Sequence, residues 1–161
     1  MRSALPDGIP VTSAGTRARR GEPIWPEAGE ELERRGVCSL GFSSYPIDSP
    51  LVHGADLVLA ATRAHRDEIV AAFPGARGHV FTWRELAWLT GGILSADIPG
   101  ASPGERLTAL APLVSGRRGR LRPPPPEMFD VADPVDGPRG AVTAAADEIE
   151  RALGPVVALL S

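Results

Sequence analysis

The chain has 161 residues, 43% of them apolar and 23% charged, with a formal net charge of −3. That length fits one domain, and the balance supports a packed core rather than a disordered chain. A small negative charge gives no support to a nucleic-acid or membrane-surface role, and no run approaches the ~20 apolar residues of a membrane span. The amino-terminal MRSALPDGIP has no apolar signal core, so the expected location is the cytoplasm.

In chain order, GIPVTS (8–13) reads as a short β-type run that ends at Ala14-Gly15-Thr16. Residues 26–35, PEAGEELERR, predict a helix, with proline at its start, acids early, arginines late and Gly36 as a stop. DLVLAA (56–61) is a continuous apolar run, the pattern of a strand buried on both faces of a parallel sheet. Thr62 follows as an N-cap for RAHRDEIVAAF, which ends at Pro74-Gly75. HVFT (79–82) predicts another short strand, and WRELAWL a helix that stops at Gly91-Gly92. Residues 91–126 are rich in Gly, Pro and Ser, with a short helix near 103–114 and a cluster Arg117, Arg118, Arg120 and Arg122 that reads as a solvated loop. A last helix at about 138–153 puts Val142, Ala146, Ile149 and Leu153 on one stripe at spacings of four, three and four. The pattern β-α-β-α-β-α-α argues for a three-layer α/β domain over residues 1–161, with a parallel sheet whose strand carboxyl ends bind ligand.

Several chemistries are excluded by count. Cys38 is the single cysteine, so neither a disulfide within the chain nor a site of two thiolates can form. His53, His65 and His79 are isolated and lack the convergent spacing of a zinc site, so no metal and no cofactor is expected. All 17 basic residues are arginine, and lysine, asparagine and glutamine do not occur, the mark of a GC-rich genome rather than of a site.

One loop stands out. Residues 122–140 read RPPPPEMFDVADPVDGPRG, with Asp130, Asp133 and Asp136 three apart behind the rigid run Pro123 to Pro126 and just ahead of the last helix. Acids held this way suit either an ordinary helix-entry turn or a general acid that has to be aimed. A second candidate is the start of the 62–72 helix, where Thr62, Arg63, His65 and Arg66 gather beside a strand's carboxyl end as candidate anion contacts.

Four blocks occur in one order: SAGT (13–16), ADLVLAATRAHRDEI (55–69), FTWRELAWL (81–89) and DVADPVDGPR (130–139). Together they resemble the low-molecular-weight protein tyrosine phosphatase family in its actinobacterial form, over nearly the whole chain. The resemblance implies a four-stranded parallel sheet with helices on both faces. It implies hydrolysis of a phosphate monoester, from a phosphorylated protein or a small ester, through a phosphocysteine. It assigns the general acid to Asp133, support of the phosphate loop to Ser13, and the substrate rim to Arg19, Val135 and Asp136.

The chain departs from that pattern. The family's phosphate loop, Cys-x5-Arg, stands before SAGT; here the cysteine lies after it, in RRGVCSLGFSS, and the sixth residue beyond Cys38 is Ser44. Cys38 therefore reads as a structural cysteine, buried or half-buried. MRSALPDGIPVTSAGT resembles the tail of the family's first helix, a turn and the second strand, so the first strand and the phosphate loop are expected to be missing. Val135 and Asp136 replace the family's aromatic or glycine residues after Asp-Pro, and Ser43-Ser44 stand where an arginine is common. Two functions are open: a phosphatase whose nucleophile lies upstream, or a catalytically silent binding or regulatory module. Related arsenate reductases need further thiols and are excluded. Unpaired strand edges would favour self-association.

Overall fold

The computed structural model describes residues 8–161; the predicted helix tail at 1–7 lies outside the described residues. Six helices and two strands follow in the order α1 Pro26–Arg34, α2 Ser49–Gly54, β1 Val58–Ala60, α3 Arg63–Ala72, β2 Val80–Thr82, α4 Trp83–Thr90, α5 Pro103–Arg117 and α6 Ala141–Leu160, with short 3-10 turns between some of them.

The strands pair in parallel, with Val58 opposite Val80, Leu59 opposite Phe81 and Ala60 opposite Thr82. Side-chain alternation then divides the interior in two. Val58, Ala60 and Val80 face Val52, Ile69 and Ala76, from α2, α3 and the turn after α3. Leu57, Leu59 and Phe81 face the other way, onto Leu86, Leu89, Leu110, Val114, Val156 and Leu160 from α4, α5 and α6. Helices thus cover both faces of the sheet, as expected of a three-layer α/β fold.

Local signals account for most boundaries. α3 is capped by Thr62, whose Oγ1 accepts the His65 N–H at 3.2 Å. Thr82 and Glu85 close a capping box on α4, and Ser102 and Glu105 another on α5. Gly36, at φ 72°, lets the chain turn left-handed just past α1. α2 escapes the apolar-period reading because it is six residues long, yet its cap is legible in Asp48-Ser49-Pro50: Asp48 Oδ1 accepts the Leu51 N–H at 3.0 Å.

Four sequence expectations change. Among the described residues GIPVTS is not part of a strand, and an isolated parallel bridge joins Gly15 to Pro46 just after it. The sheet has two strands among the described residues rather than the three read from the sequence. The last helix runs to Leu160 rather than about 153, carrying Pro155 inside it. A proline there costs about 3 kcal/mol, but the extension buries Val156, Leu159 and Leu160, at about 1.5–3 kcal/mol per side chain.

The fourth change concerns single side chains. Cys38 is exposed, not buried, in a loop where Leu40 and Phe42 are exposed as well. Arg118 is no solvated loop residue: its guanidinium lies 4.0 Å over the Phe81 ring, donates to Glu85 Oε1 at 2.9 Å and reaches the carbonyls of Arg77 and Val80. Arg120 and Arg122 are exposed, as expected.

Candidate active site

The carboxyl ends of the strands gather three segments: the start of α3, the start of α4, and the loop 126–137. The loop is anchored from below. Phe129 and Val131 are buried, and Phe129 packs on Trp88 of α4 with ring centroids 5.4 Å apart. The Val131 N–H donates to the carbonyl of Ala61, just past β1, at 2.9 Å. Burial of two apolar side chains and one backbone bond therefore place this loop at the end of β1.

Asp130, between those two anchors, completes the attachment. Its Oδ1 accepts the backbone N–H of Arg63 at 2.6 Å, and Arg63 Nη2 lies 3.1 Å from Oδ2. Arg84 Nη1 donates to the Asp130 carbonyl at 3.2 Å. The first N–H groups of a helix have no partner inside it. Here Thr62 takes the third and Asp130 the first, so the anion favoured at this terminus is a carboxylate of the same chain. Burial pushes the Asp130 carboxyl up, but the Arg63 N–H and guanidinium outweigh it and hold the group below the ordinary range.

Asp133 stands three residues further along, exposed. Its Oδ1 accepts the Val135 N–H at 3.0 Å, and the Gly137 N–H donates to the Pro134 carbonyl at 3.1 Å. This compact turn is closed by Asp136 in the left-handed region at φ 55°. Val135 and Asp136 are exposed on it.

The candidate anion contacts are distributed as follows. Arg63 is engaged with Asp130. Arg66 pairs with Asp67 at 2.8 Å and with Glu85 at 3.1 Å. His65 Nδ1 lies 3.0 Å from Thr62 Oγ1, and His65 borders the groove beside β1. Ser13 is exposed on the opposite wall of that groove. Arg19 is exposed, and its carbonyl accepts the Ser44 hydroxyl, so Ser44 serves to fasten the 19–22 turn. Sequence reasoning singled out Asp130 by its three-residue spacing from Asp133 but missed its contact with Arg63, for which the only signal was the apolar Phe129 and Val131 flanking it. Among the described residues, no cluster of three His, Cys, Asp or Glu could hold a metal ion, and no helix is long and apolar enough to cross a membrane.

The α/β fold is shared with solved phosphatases. The sequence profile of low molecular weight phosphotyrosine protein phosphatase matches residues 1–95, more than half of the chain, and the chain belongs to that family. A probable low molecular weight protein-tyrosine-phosphatase, EpsP of Ralstonia solanacearum, is 36% identical over 86 residues, which are 53% of this chain and 59% of that protein. A protein-arginine-phosphatase of Geobacillus stearothermophilus is 29% identical over 143 residues, 89% of this chain and 71% of that one. Among solved structures, the YwlE arginine phosphatase from Geobacillus stearothermophilus shares the fold at a TM-score of 0.66 and 24% identity, covering 97% of this chain and 76% of that one. A YwlE mutant from Bacillus subtilis gives 0.59 at 26% identity, over 89% and 72%. The chain thus spans 59% of the length of the Ralstonia relative.

Proposed function

We propose that the chain carries the acid half of a phosphoprotein phosphatase site, with Asp133 as the general acid. The observation that carries the reading is the fastening of the acid loop to the end of β1, through Val131 to Ala61 and Asp130 to Arg63. A leaving oxygen needs a proton as its bond to phosphorus breaks, and a donor on an anchored loop delivers it without first paying to order the loop. Arg19, Val135 and Asp136 would border the substrate, Ser13 would support the phosphate loop, and Thr62 and His65 would lie nearest the phosphate.

The nucleophile and the arginine that grips the phosphoryl oxygens are not among these 161 residues, since the sixth residue after Cys38 is Ser44. Cys38 cannot serve: it lies in the exposed 37–42 loop, with no arginine at the required spacing. The 161-residue chain, a single cytoplasmic domain of actinobacterial type, is therefore expected to be silent by itself. Its substrate class is a phosphorylated protein, with phosphotyrosine and phosphoarginine as the two side chains named among its relatives.

A second reading, a non-catalytic binding module, is favoured by one feature. Asp136 is exposed two residues past Pro134 and adds a negative charge where a phosphate dianion would approach. Assay of p-nitrophenyl phosphate and of phosphoarginine peptide against Asp133→Ala tests the proposal. No turnover above that variant is expected. Turnover that vanishes in Cys38→Ser would overturn the reading of Cys38, and turnover that persists in Asp133→Ala would overturn that of Asp133.

A further inference from the structure

Between the end of α5 and the acid loop, residues 120–126 read RLRPPPP. Proline fixes its own φ near about −65° and drives the residue before it into extended backbone. Arg122, Pro123, Pro124 and Pro125 each stand before a proline, so this whole stretch is held in the polyproline II form. Pro125 lies in that region, at φ −48° and ψ 135°. The prolines have no N–H, and among the described residues the carbonyls of Arg122, Pro123 and Pro124 accept no hydrogen bond.

A polyproline II helix repeats every three residues and so presents three edges. Exposure along the segment follows that period. Leu121 and Pro124 form one edge and are half-buried, with Leu121 packed against the main core. Arg120, Pro123 and Pro126 form the second edge, Arg122 and Pro125 the third, and all of these are exposed. One edge thus seats the segment on the domain while two face solvent. Arg117 and Arg118, just upstream, are tied to Gly91 and Glu85. Among the described residues, neither Arg120 nor Arg122 has a salt bridge or a side-chain hydrogen bond.

We propose that residues 120–126 are a docking segment for a partner protein whose groove is lined by aromatic side chains and rimmed by carboxylates. A groove grips a three-edged rod by two edges, and two are offered here over about 19 Å. Indole N–H and phenol O–H groups in such a groove supply the donors that the free carbonyls lack. The unpaired guanidinium groups of Arg120 and Arg122 call for carboxylates at its rim. A nucleic acid or an anionic membrane would engage the arginines but would gain nothing from a rigid apolar ridge. The rigidity itself lowers the entropy lost on docking. The partner would sit beside the acid loop, because the buried Phe129 that anchors that loop follows Pro126 by three residues. The proposal concerns docking alone and does not rest on the hydrolytic reading.

The test uses the 161-residue chain and, as probe, an isolated SH3 domain, whose groove is aromatic with an acidic rim. The amide NMR spectrum of the SH3 domain is followed as the chain is added. Saturable shifts confined to the groove are expected, with a Kd of about 10–100 μM. Pro123→Ala, Pro126→Ala and Arg120→Glu should each weaken binding at least about 5-fold. Pro124→Ala, on the seated edge, should change it by less than about 2-fold. The three proline variants lose the same rigidity, so only contact with the groove separates them, and circular dichroism melts check that each is folded. Absence of saturation at millimolar SH3 domain, or equal losses at Pro123, Pro124 and Pro126, overturns the proposal. So does binding that ignores the prolines and disappears in about 0.5 M salt, which would mark a contact of charge alone. The readout needs no turnover, so failure of the phosphatase reading leaves the docking result standing.

Discussion

Asp130 and Arg63 lie 67 residues apart in sequence, yet the carboxylate of one accepts the backbone N–H of the other at 2.6 Å. The pair joins the acid loop to the first turn of α3 and so fixes both at the end of β1. Removing the carboxylate in Asp130→Ala frees a helix amide and a partly exposed guanidinium, for an expected loss of about 1–2 kcal/mol. Asp130→Asn keeps an oxygen for the amide and should lose less. Urea unfolding of the three proteins gives the order.

The same carboxylate gives the stability a pH dependence of known sign. Its folded-state pKa is depressed, so the unfolded chain binds protons more readily. The contribution is fully present above the unfolded value, near ~3.9, and is lost as pH falls through the folded one. The stability gap between the native chain and Asp130→Asn should hold from pH 7 to about 5 and shrink below about 4. Asp48, lowered by the Leu51 N–H and then the Tyr45 hydroxyl, should leave a residual acid dependence in the variant.

How much of this was legible in sequence depends on range. Thr62, Thr82 and Glu85 act within four residues of themselves, and caps of that kind are visible in any linear reading. The continuous apolar run of DLVLAA likewise announced a strand buried on both faces, as Val58 and Leu59 packing on opposite cores bear out. What stayed hidden was long-range. Nothing near Arg118 in sequence announces Glu85 or the Val80 carbonyl, and a Gly- and Arg-rich stretch reads as solvent until these partners, 33 and 38 residues away, are known. GIPVTS has strand composition, yet among the described residues it takes no part in the sheet. Cys38 followed the usual preference of free cysteine for the interior; the loop that holds it offers no interior.

Glu85 is the buried charge with most at stake. Its carboxylate meets Arg66 at 3.1 Å and Arg118 at 2.9 Å, and also accepts the Thr82 N–H at 3.3 Å. Glu85→Ala removes the buried carboxylate shared by two arginines and the reciprocal half of the α4 capping box, so a loss of about 3 kcal/mol is expected. Glu85→Gln keeps an oxygen for the Thr82 N–H and should lose less. Thermal unfolding followed by circular dichroism separates the two.

Cys38 is exposed, which has a direct chemical readout. Ellman's reagent should titrate one thiol in the native chain, at a rate close to that in the urea-unfolded chain. Cys38→Ser should change stability by no more than about 0.5 kcal/mol. A thiol that reacts only after unfolding would contradict the exposed loop.

The arrangement around Glu85 also bears on how this protein can tolerate change. One carboxylate is shared by α3, α4 and the residue that ends α5, so the effect of altering any one partner depends on whether the others are intact. With Glu85 absent, loss of Arg66 should relieve repulsion where, with Glu85 present, it does harm. Substitutions at these three positions are therefore expected to be accepted together and rejected singly.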